Sequence, residues 1–406
     1  MKLQKTILSF ICAVLVLFSG CTYEVPEQAT AELPVVEHAD FTTYNQFAIN
    51  LLKTTRNTGE NRIVSPFSIG MALTMMRLGA EGETAGQIET VLGMQFGNFG
   101  SIINDSLALS EQLDKLDGLL YYTGTGLFVG EGPSIIENQA VIMEDYFGLH
   151  LEFMPFGDPK ALTTVNDWAS QTTTGRIDEL FAVDEFPADS KVLLLSASAV
   201  ECQWQKGFNP EATRSMPFTL DDGKGIAFPT MRGRIEMFHY LGDDAEVGFI
   251  PLSGGNITMA ILLPPEDQTI DEFLAALTAE DIERWKTMST SGEFWCYIPR
   301  IDLVEVNSYR EPITEMGAGS MFDPMTAEFG AMGNHFYLDD IYQAVQIRAI
   351  EEGEEESGYT SVDVTRAANS GEYFFNACTT MIFMIVDNQS GGILMIGSMV
   401  DPINDN

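Results

Sequence analysis

Six short apolar runs, five of them in the second half of the chain, restrict its possible folds most strongly. Those five each have Gly, Pro or Asp next to at least one end, and several of the six contain no polar residue. Wholly apolar strands belong in sheets that are covered on both faces, so this half predicts extensive buried β-sheet. The runs are Val192 to Leu195, Val247 to Ile250, Thr258 to Leu263, Phe294 to Ile298, Met381 to Val386 and Ile393 to Ile396.

Helical signals occupy the first half. Ser65 followed by Pro66 is typical of a helix start, because Ser caps the first turn and Pro is tolerated within it. Apolar residues then recur at helical spacing until Gly79, and Thr84 predicts a capping box for a second helix. Another amphipathic helix is predicted from Asn166 to Ile177. Helices followed by many strands predict the α+β class, with large mixed or mainly antiparallel sheets.

The charge of the chain excludes two classes of partner. Its 406 residues include 21 Lys and Arg against 59 Asp and Glu, a formal net charge of −38 at pH 7. Such a polyanion repels both a phosphate backbone and an anionic lipid surface. We therefore expect no nucleic-acid partner and no membrane binding through a basic patch.

The N-terminus has the features of a targeting segment. Lys2 and Lys5 precede an apolar run, Ile7 to Phe18, that is too short to span a bilayer comfortably. The following Ser19-Gly20-Cys21 resembles the lipobox of bacterial lipoproteins, although Phe18 stands where Leu is usual. We expect a signal peptide over residues 1–20, an acidic tether over 21–40 and a single domain over 41–402. The resemblance implies an exported lipoprotein of a bacterial cell envelope, which contacts the membrane only through a lipid on Cys21.

The sequence lacks local motifs for catalysis, metal binding or cofactor binding. It contains no GxSxG, SxxK, HExxH, Walker A or GxGxxG string, and no two of its four histidines are close enough in sequence for a local metal pair. The Gly-rich segment Thr123 to Gly126 is interpreted as a turn before a strand. Cys202, Cys296 and Cys378 are widely spaced and are predicted to be buried free thiols. We expect no metal, no cofactor and no enzyme activity.

Three stretches that together span nearly the whole mature chain resemble the serpin family of protease inhibitors. They run from Asn61 through Ile69 to Thr84, from Asn166 to Thr213, and from Phe375 to Pro402. The sequence departs from the family pattern in each of the last two stretches. Ser196 replaces Asn, Val200-Glu201-Cys202 replaces Phe-Lys-Gly, and Thr380 replaces Pro.

The resemblance implies a serpin-like α+β fold. Helices of the N-terminal half would pack on a large central mixed sheet, beside smaller antiparallel sheets and an exposed reactive-centre loop, in a monomer. The region where the central strands part would include Asn61, Ser65, Pro66 and Ser68. The hinge of the loop would comprise Glu351, Glu352, Gly353, Glu354, Glu355 and Glu356.

The resemblance also implies a function as a suicide substrate of serine proteases, with cysteine proteases as a further class. Counting from Glu351 predicts the scissile bond Ala367–Ala368, whereas counting back from Thr380 leads to Asn369. Ala367 would suit an elastase-like protease with a small specificity pocket. The alternative bond, Arg366–Ala367, would suit a trypsin-like protease.

The hinge sequence leaves a second function open. An inserted strand alternates between core and exterior, and the family register turns Glu354, Glu356, Gly358, Thr360, Val362, Val364 and Arg366 inward. An unpaired buried carboxylate is strongly unfavourable, so Glu354 and Glu356 oppose insertion. The alternative is therefore a non-inhibitory serpin-fold protein that binds at the surface and is cleaved without trapping a protease.

The lipobox resemblance gives a first testable prediction. We expect the substitution Cys21→Ala to move the protein from the membrane fraction to the soluble fraction of cells, because a thioether-linked lipid can no longer form. Fractionation followed by immunoblotting measures the shift, with Cys12→Ala in the apolar run as the matched control. A variant that stays with the membranes would show that the anchor is a different group.

Overall fold

The apolar runs of the second half become strands of two sheets. All six predicted strands are confirmed, and all six extend beyond their apolar runs. The protein is described here from a computed structural model, which covers residues 42–93, 119–356 and 374–403. In this part of the chain the α+β class is confirmed, with helices concentrated in the first half and most strands in the second.

The described residues contain eight helices and fourteen strands. The helices are α1 Thr42–Thr55, α2 Pro66–Gly79, α3 Gly82–Leu92, α4 Glu137–Phe147, α5 Ala161–Thr172, α6 Ile270–Ala276, α7 Ala279–Met288 and α8 Arg310–Glu315. The first seven strands are β1 Arg62–Val64, β2 Leu119–Val129, β3 His150–Phe153, β4 Val192–Gly207, β5 Arg214–Thr219, β6 Gly225–Leu241 and β7 Glu246–Pro251. The remaining strands are β8 Ile257–Leu263, β9 Thr290–Pro299, β10 Ile301–Ser308, β11 Asp340–Glu356, β12 Phe374–Asn376, β13 Met381–Asp387 and β14 Ile393–Met399.

The central sheet is mixed and has five strands within the described ranges, in the order β10-β11-β4-β2-β3. Its interior pair β4 and β11 is parallel, whereas β10 with β11 and β2 with β4 are antiparallel. The second sheet follows the order β1-β14-β13-β8-β7-β6-β9-β12, with β5 paired to β6. All its pairs are antiparallel except β9 with β12.

One hydrophobic core lies between the two sheets. Trp204 and Val345 of the central sheet are fully buried in one hydrophobic cluster with Met259 and Phe383 of the second sheet. A second cluster contains the apolar faces of α1, α2 and α3 together with residues of β13 and β14. Each fully buried large side chain stabilises the fold by about 1.5–3 kcal/mol. The sheet faces are therefore covered, as the wholly apolar runs predict.

The helix boundaries confirm one prediction and correct two. Helix α2 begins at Pro66 with Ser65 as its N-cap and ends at Gly79, as expected. The capping box at Thr84 is wrong, because α3 begins at Gly82 and the Thr84 hydroxyl instead contacts Ser320 Oγ at 2.9 Å. The predicted helix from Asn166 is also misplaced, since α5 spans Ala161–Thr172.

The Gly-rich segment Thr123 to Gly126 lies inside strand β2, so its interpretation as a turn is wrong. Helix α5 crosses this part of the sheet closely. A Cβ atom on Gly124 would lie 2.6 Å from Thr172 Cγ2, and one on Gly126 would lie 3.1 Å from Trp168. The glycines are thus explained by the approach of a helix, which the local sequence does not reveal.

Cys202, Cys296 and Cys378 are buried and unbonded to one another, which confirms the prediction of free thiols. Burial raises the pKa of the Cys202 and Cys296 thiols, so they stay protonated. No helix within the described ranges has the length and apolar character needed to cross a membrane.

The contact between β2 and α5 generates a second prediction. We expect Gly124→Ala to destabilise the native state by about 1–3 kcal/mol, because the added methyl group overpacks the interface with Thr172. Thr172→Ser removes only the opposing methyl group, so the double variant should regain much of this loss. Urea denaturation measures both changes. Gly225→Ala is the control, since its Cβ would lie 3.6 Å from its nearest neighbour; equal losses at Gly124 and Gly225 would contradict the packing explanation.

Candidate functional site

The parallel pair β4–β11 forms a seam in the interior of the central sheet. Its register runs from Asp340 opposite Leu193 to Glu356 opposite Gly207, with an irregularity between Ala349 and Gly353. The chain leaves β11 at the end of this seam, passes through residues 357–373, and resumes as β12 in the second sheet. A segment that folds back from the end of β11 could lie between β4 and β11, antiparallel to both strands. The seam is therefore the place where the sheet could accept another strand.

A buried polar network holds the middle of the seam. Gln343 of β11 accepts a hydrogen bond from Ser65 N at 2.9 Å, and its Nε2 donates to Ser65 O at 3.0 Å and Ser68 Oγ at 2.8 Å. Ser198 of β4 donates to Ser68 Oγ at 3.0 Å. The predicted residues Ser65 and Ser68 thus lie together beneath the seam. Pro66 begins the helix that carries them.

The network continues to Tyr309, which follows β10, and to the second sheet. Tyr309 donates to Gln343 Oε1 at 2.9 Å, and Ser65 Oγ donates to Leu394 O of β14 at 3.1 Å. Burial raises the pKa of Tyr309, which keeps its hydroxyl protonated as a donor. Because Gln343 and Tyr309 are fully buried, this network fixes helix α2 beneath the parallel pair.

Sequence reasoning missed Gln343, Ser198 and Tyr309. One signal for Gln343 was present, because this amide interrupts the inward-facing apolar residues Ile341 and Val345 of β11. An isolated polar residue on a buried face needs hydrogen-bond partners. The identity of those partners depends on helix α2, far away in sequence.

Glu351 anchors β11 five residues before the strand ends at Glu356. Its side chain is 5% exposed and binds Arg300, with Nη2 at 2.7 Å and Nε at 3.0 Å from Oε1. Thr213 also donates to this carboxylate. Burial opposes ionisation of Glu351, but the hydrogen bonds from Arg300 and Thr213 outweigh it and hold the pKa below its usual value. Glu351 is therefore a charged, fixed point from which the following segment starts.

Glu351 lies within an interruption of the pairing of β4 with β11. Ala349 pairs with Cys202 and Gly353 pairs with Trp204, so β11 bulges between Ala349 and Gly353. The backbones approach closely there: a Cβ on Gly353 would lie 2.5 Å from Gly207 N and from Trp204 O. Any side chain at Gly353 would push the strands apart.

The structure distributes the other predicted residues over several places. It does not bring Asn61 into the network beneath the seam: its side chain donates to Asp401 O at 2.7 Å and accepts from Val400 N at 2.8 Å. Glu352 is exposed and lies 3.8 Å from Arg348 Nη1. The backbone of residues 354–356 belongs to β11, but their side chains are outside the description. Cys21, Arg366, Ala367 and Ala368 lie outside the described residues.

Among the residues that the structure describes, no group of three or more His, Cys, Asp and Glu side chains is arranged to hold a metal ion.

Comparison with known proteins decides the family. A sequence model described as Serpin (serine protease inhibitor) matches residues 42–402. The chain belongs to the serpin family. An uncharacterised serpin-like protein of Methanosarcina acetivorans is 27% identical and aligns over 90% of this chain and 87% of its own length. Glia-derived nexin of Mus musculus is 26% identical, over 84% of this chain and 88% of the nexin.

The fold of this serpin is also that of solved serpin structures. The crystal structure of tengpin, a thermophilic serpin in its native state, has a TM-score of 0.78 to this chain and is 21% identical. The match covers 89% of this chain and 94% of tengpin. The resemblance stated from the sequence is confirmed in both family and fold.

The buried Glu351–Arg300 pair gives a third prediction. We expect Arg300→Ala to lower the free energy of unfolding by about 1–3 kcal/mol at pH 7, because the carboxylate stays buried without its main partner. The native pKa of Glu351 is depressed, so its contribution is present above the unfolded pKa near 4.5 and is lost as the pH falls through the native pKa. The deficit should therefore shrink between pH 7 and pH 3.5.

Urea denaturation at the two pH values measures this deficit. Lys224→Ala is the control, since Lys224 is 76% exposed and pairs only at the surface with Asp222; it should change stability little. Arg300→Lys should retain part of the stability, because it keeps the charge without the two-pronged geometry. A deficit for Arg300→Ala that is equal at both pH values would contradict the role of the ionised carboxylate.

Proposed function

We propose that this serpin inhibits serine proteases as a suicide substrate, with residues 357–373 as the segment that the protease attacks. The observation that carries the proposal is the interior parallel pair β4–β11, from whose end this segment emerges. An added strand would form backbone hydrogen bonds to both neighbours and convert the seam into two antiparallel pairs. The family description and the nexin relative support the same function.

The proposed reaction uses the nucleophile of the protease. Its serine oxygen attacks the carbonyl carbon of Ala367 and forms an ester, while the peptide bond to Ala368 breaks and the nitrogen of Ala368 takes up the proton. The freed segment then inserts at the seam before water hydrolyses the ester. Glu351, held by Arg300 and Thr213, would remain the fixed end of the inserting strand.

The proposal favours an elastase-like target and keeps a trypsin-like target as the alternative. Cleavage after Ala367 suits a small specificity pocket, and cleavage after Arg366 suits an acidic one. We also propose that the protein acts as a monomer at the surface of a bacterial envelope, tethered through Cys21, where it would meet extracellular proteases.

Incubation with elastase and trypsin tests this function as a fourth prediction. We expect a covalent complex of higher mass on a denaturing gel with elastase, because the ester survives denaturation. Mass spectrometry of the C-terminal fragment should show a start at Ala368. Trapping of trypsin with a fragment starting at Ala367 would assign the alternative bond. Clean cleavage without any complex would favour the non-inhibitory serpin-fold protein and contradict inhibition.

The hinge carboxylates refine this experiment. In the inward register, Glu354 and Glu356 must be buried on insertion, so the variant Glu354→Thr/Glu356→Ala should raise the ratio of trapped to cleaved product. Glu355→Thr is the matched control, because its side chain would face outward. A ratio that rises equally in the control would show that removal of charge alone is responsible.

A further inference from the structure

A cavity of about 600 Å³ lies along the outer edge of strand β10, away from the β4–β11 seam. Within the described ranges β10 pairs only with β11 and ends the central sheet. Four consecutive residues of β10, 302–305, line the cavity, together with apolar side chains such as Phe228, Met399 and Pro402. Because side chains alternate between the two faces of a sheet, four consecutive residues indicate that the strand presents its backbone edge to the cavity.

The backbone of Val304 offers hydrogen-bonding groups at this edge. Tyr309 continues the antiparallel register of β10, and its N–H donates to Ile341 O at 2.8 Å. In an antiparallel ladder, every second residue bonds to the neighbouring strand and the residues between point the other way. The odd-numbered residues of β10 therefore bond to β11, whereas the N–H and C=O of Val304 point away from it. Such edge groups can pair with a further strand.

Glu305 brings a carboxylate oxygen to the cavity. Its side chain is only 10% exposed, and its Oε2 accepts from Ile63 N at 2.9 Å and lies 3.4 Å from Arg62 Nη1. The other oxygen, Oε1, accepts no hydrogen bond from any residue in the described ranges, although Glu305 lines the cavity. Burial raises the pKa of Glu305, so its ionised form would gain from a cationic donor.

Arg348 supplies the opposite charge at another level of the cavity. It lies across from Asp302 in the register, three residues along β10 from Glu305. Its nitrogen atoms approach Asp302 at 3.7 Å and Glu352 at 3.8 Å, which is too far for hydrogen bonds. A guanidinium with donors to spare can bind a carboxylate with two parallel hydrogen bonds. Three residues of an extended strand separate the two levels by about 10 Å.

We propose that this cavity binds a tripeptide with free termini and apolar side chains, which adds to the edge of β10 as a short antiparallel strand. Its ammonium group would donate to Glu305 Oε1, and its carboxylate would accept from Arg348. Its middle residue would exchange two backbone hydrogen bonds with Val304. An extended tripeptide spans about 10 Å, which matches the separation of the two charged groups. The ligand has no net charge, so the polyanionic chain does not repel it.

Calorimetric titration of the full chain with Val-Val-Val at pH 7 tests the site without a protease. We expect one tripeptide to bind per chain. Acetylation of its N-terminus and amidation of its C-terminus should each weaken binding about tenfold or more, the range for a hydrogen bond to a charged group. Hexylamine, which has the ammonium group and an apolar body but neither the carboxylate nor the backbone, should also bind at least about tenfold more weakly.

Two proline variants test the edge of the strand. Val304→Pro removes the N–H that faces the cavity and leaves the β10–β11 ladder intact, because proline is tolerated where the strand N–H is not part of the ladder. We expect it to weaken binding of Val-Val-Val about fivefold or more. Val306→Pro is the matched control, since Val306 has the same parity but does not line the cavity. It should bind the tripeptide as the parent protein does, and melting temperatures verify that both variants fold.

The variant Arg348→Ala tests the carboxylate end through a thermodynamic cycle. It should bind Val-Val-Val and its C-terminal amide equally, because the partner of the carboxylate is gone. Arg348 forms only long ion pairs, so this variant should keep the melting temperature of the parent.

Four outcomes would overturn the inference: no binding of Val-Val-Val, an equal loss in Val306→Pro, an amidation penalty that persists in Arg348→Ala, or hexylamine binding as tight as that of the tripeptide. These outcomes are separate from the protease assay. Trapping of elastase without tripeptide binding would remove this site and keep inhibition. Tripeptide binding without trapping would keep the site and remove inhibition.

Discussion

Under the proposed function, the pairing of β4 with β11 must hold the central sheet together and still allow the two strands to separate. At the middle of the seam, the side chains meet this requirement by binding to the helix beneath, not to each other. Gln343 of β11 and Ser198 of β4 both bind Ser68 at the start of α2. The helix therefore positions each strand separately, and the strands could part without the loss of a side-chain bond that runs directly between them at this level.

The helix start and the buried strands could be predicted from the sequence, because they depend only on local residue chemistry. Ser65 and Pro66 define a helix start through capping, and the apolar runs must be buried wherever they lie. The long strands β6 and β11 were not predicted, because polar residues such as Arg232 and Gln343 interrupt their apolar pattern and find partners only in the folded protein. The glycines of β2 were wrongly interpreted as a turn, because helix α5, which packs against them, comes later in the chain and leaves no signal in the local sequence.

The candidate site was predictable in part and only through resemblance. The family pattern singles out Glu351 as an expected hinge residue. Its partner Arg300 follows from no local signal, because the pairing of β10 with β11 that brings the two residues together is a tertiary feature. The replacement of Asn by Ser196 could be read from the sequence, but its consequence could not. Only the contacts of Gln343 show that the serine hydroxyl is left unpaired. Asn61 belongs to the same sequence stretch as Ser65, yet it holds the C-terminal segment instead.

The position of β13 and β14 in the second sheet affects how the chain can be made. These two strands, near the end of the chain, lie between β1 and β8. The sheet therefore cannot connect β1 to β8 until β13 and β14 have been synthesised. Asn45 of α1 also lacks a hydrogen-bond donor until β14 is made, because its Oδ1 accepts from Ile393 N. A growing polypeptide emerges from the ribosome N-terminus first, so this sheet cannot be completed until synthesis of the chain is nearly finished.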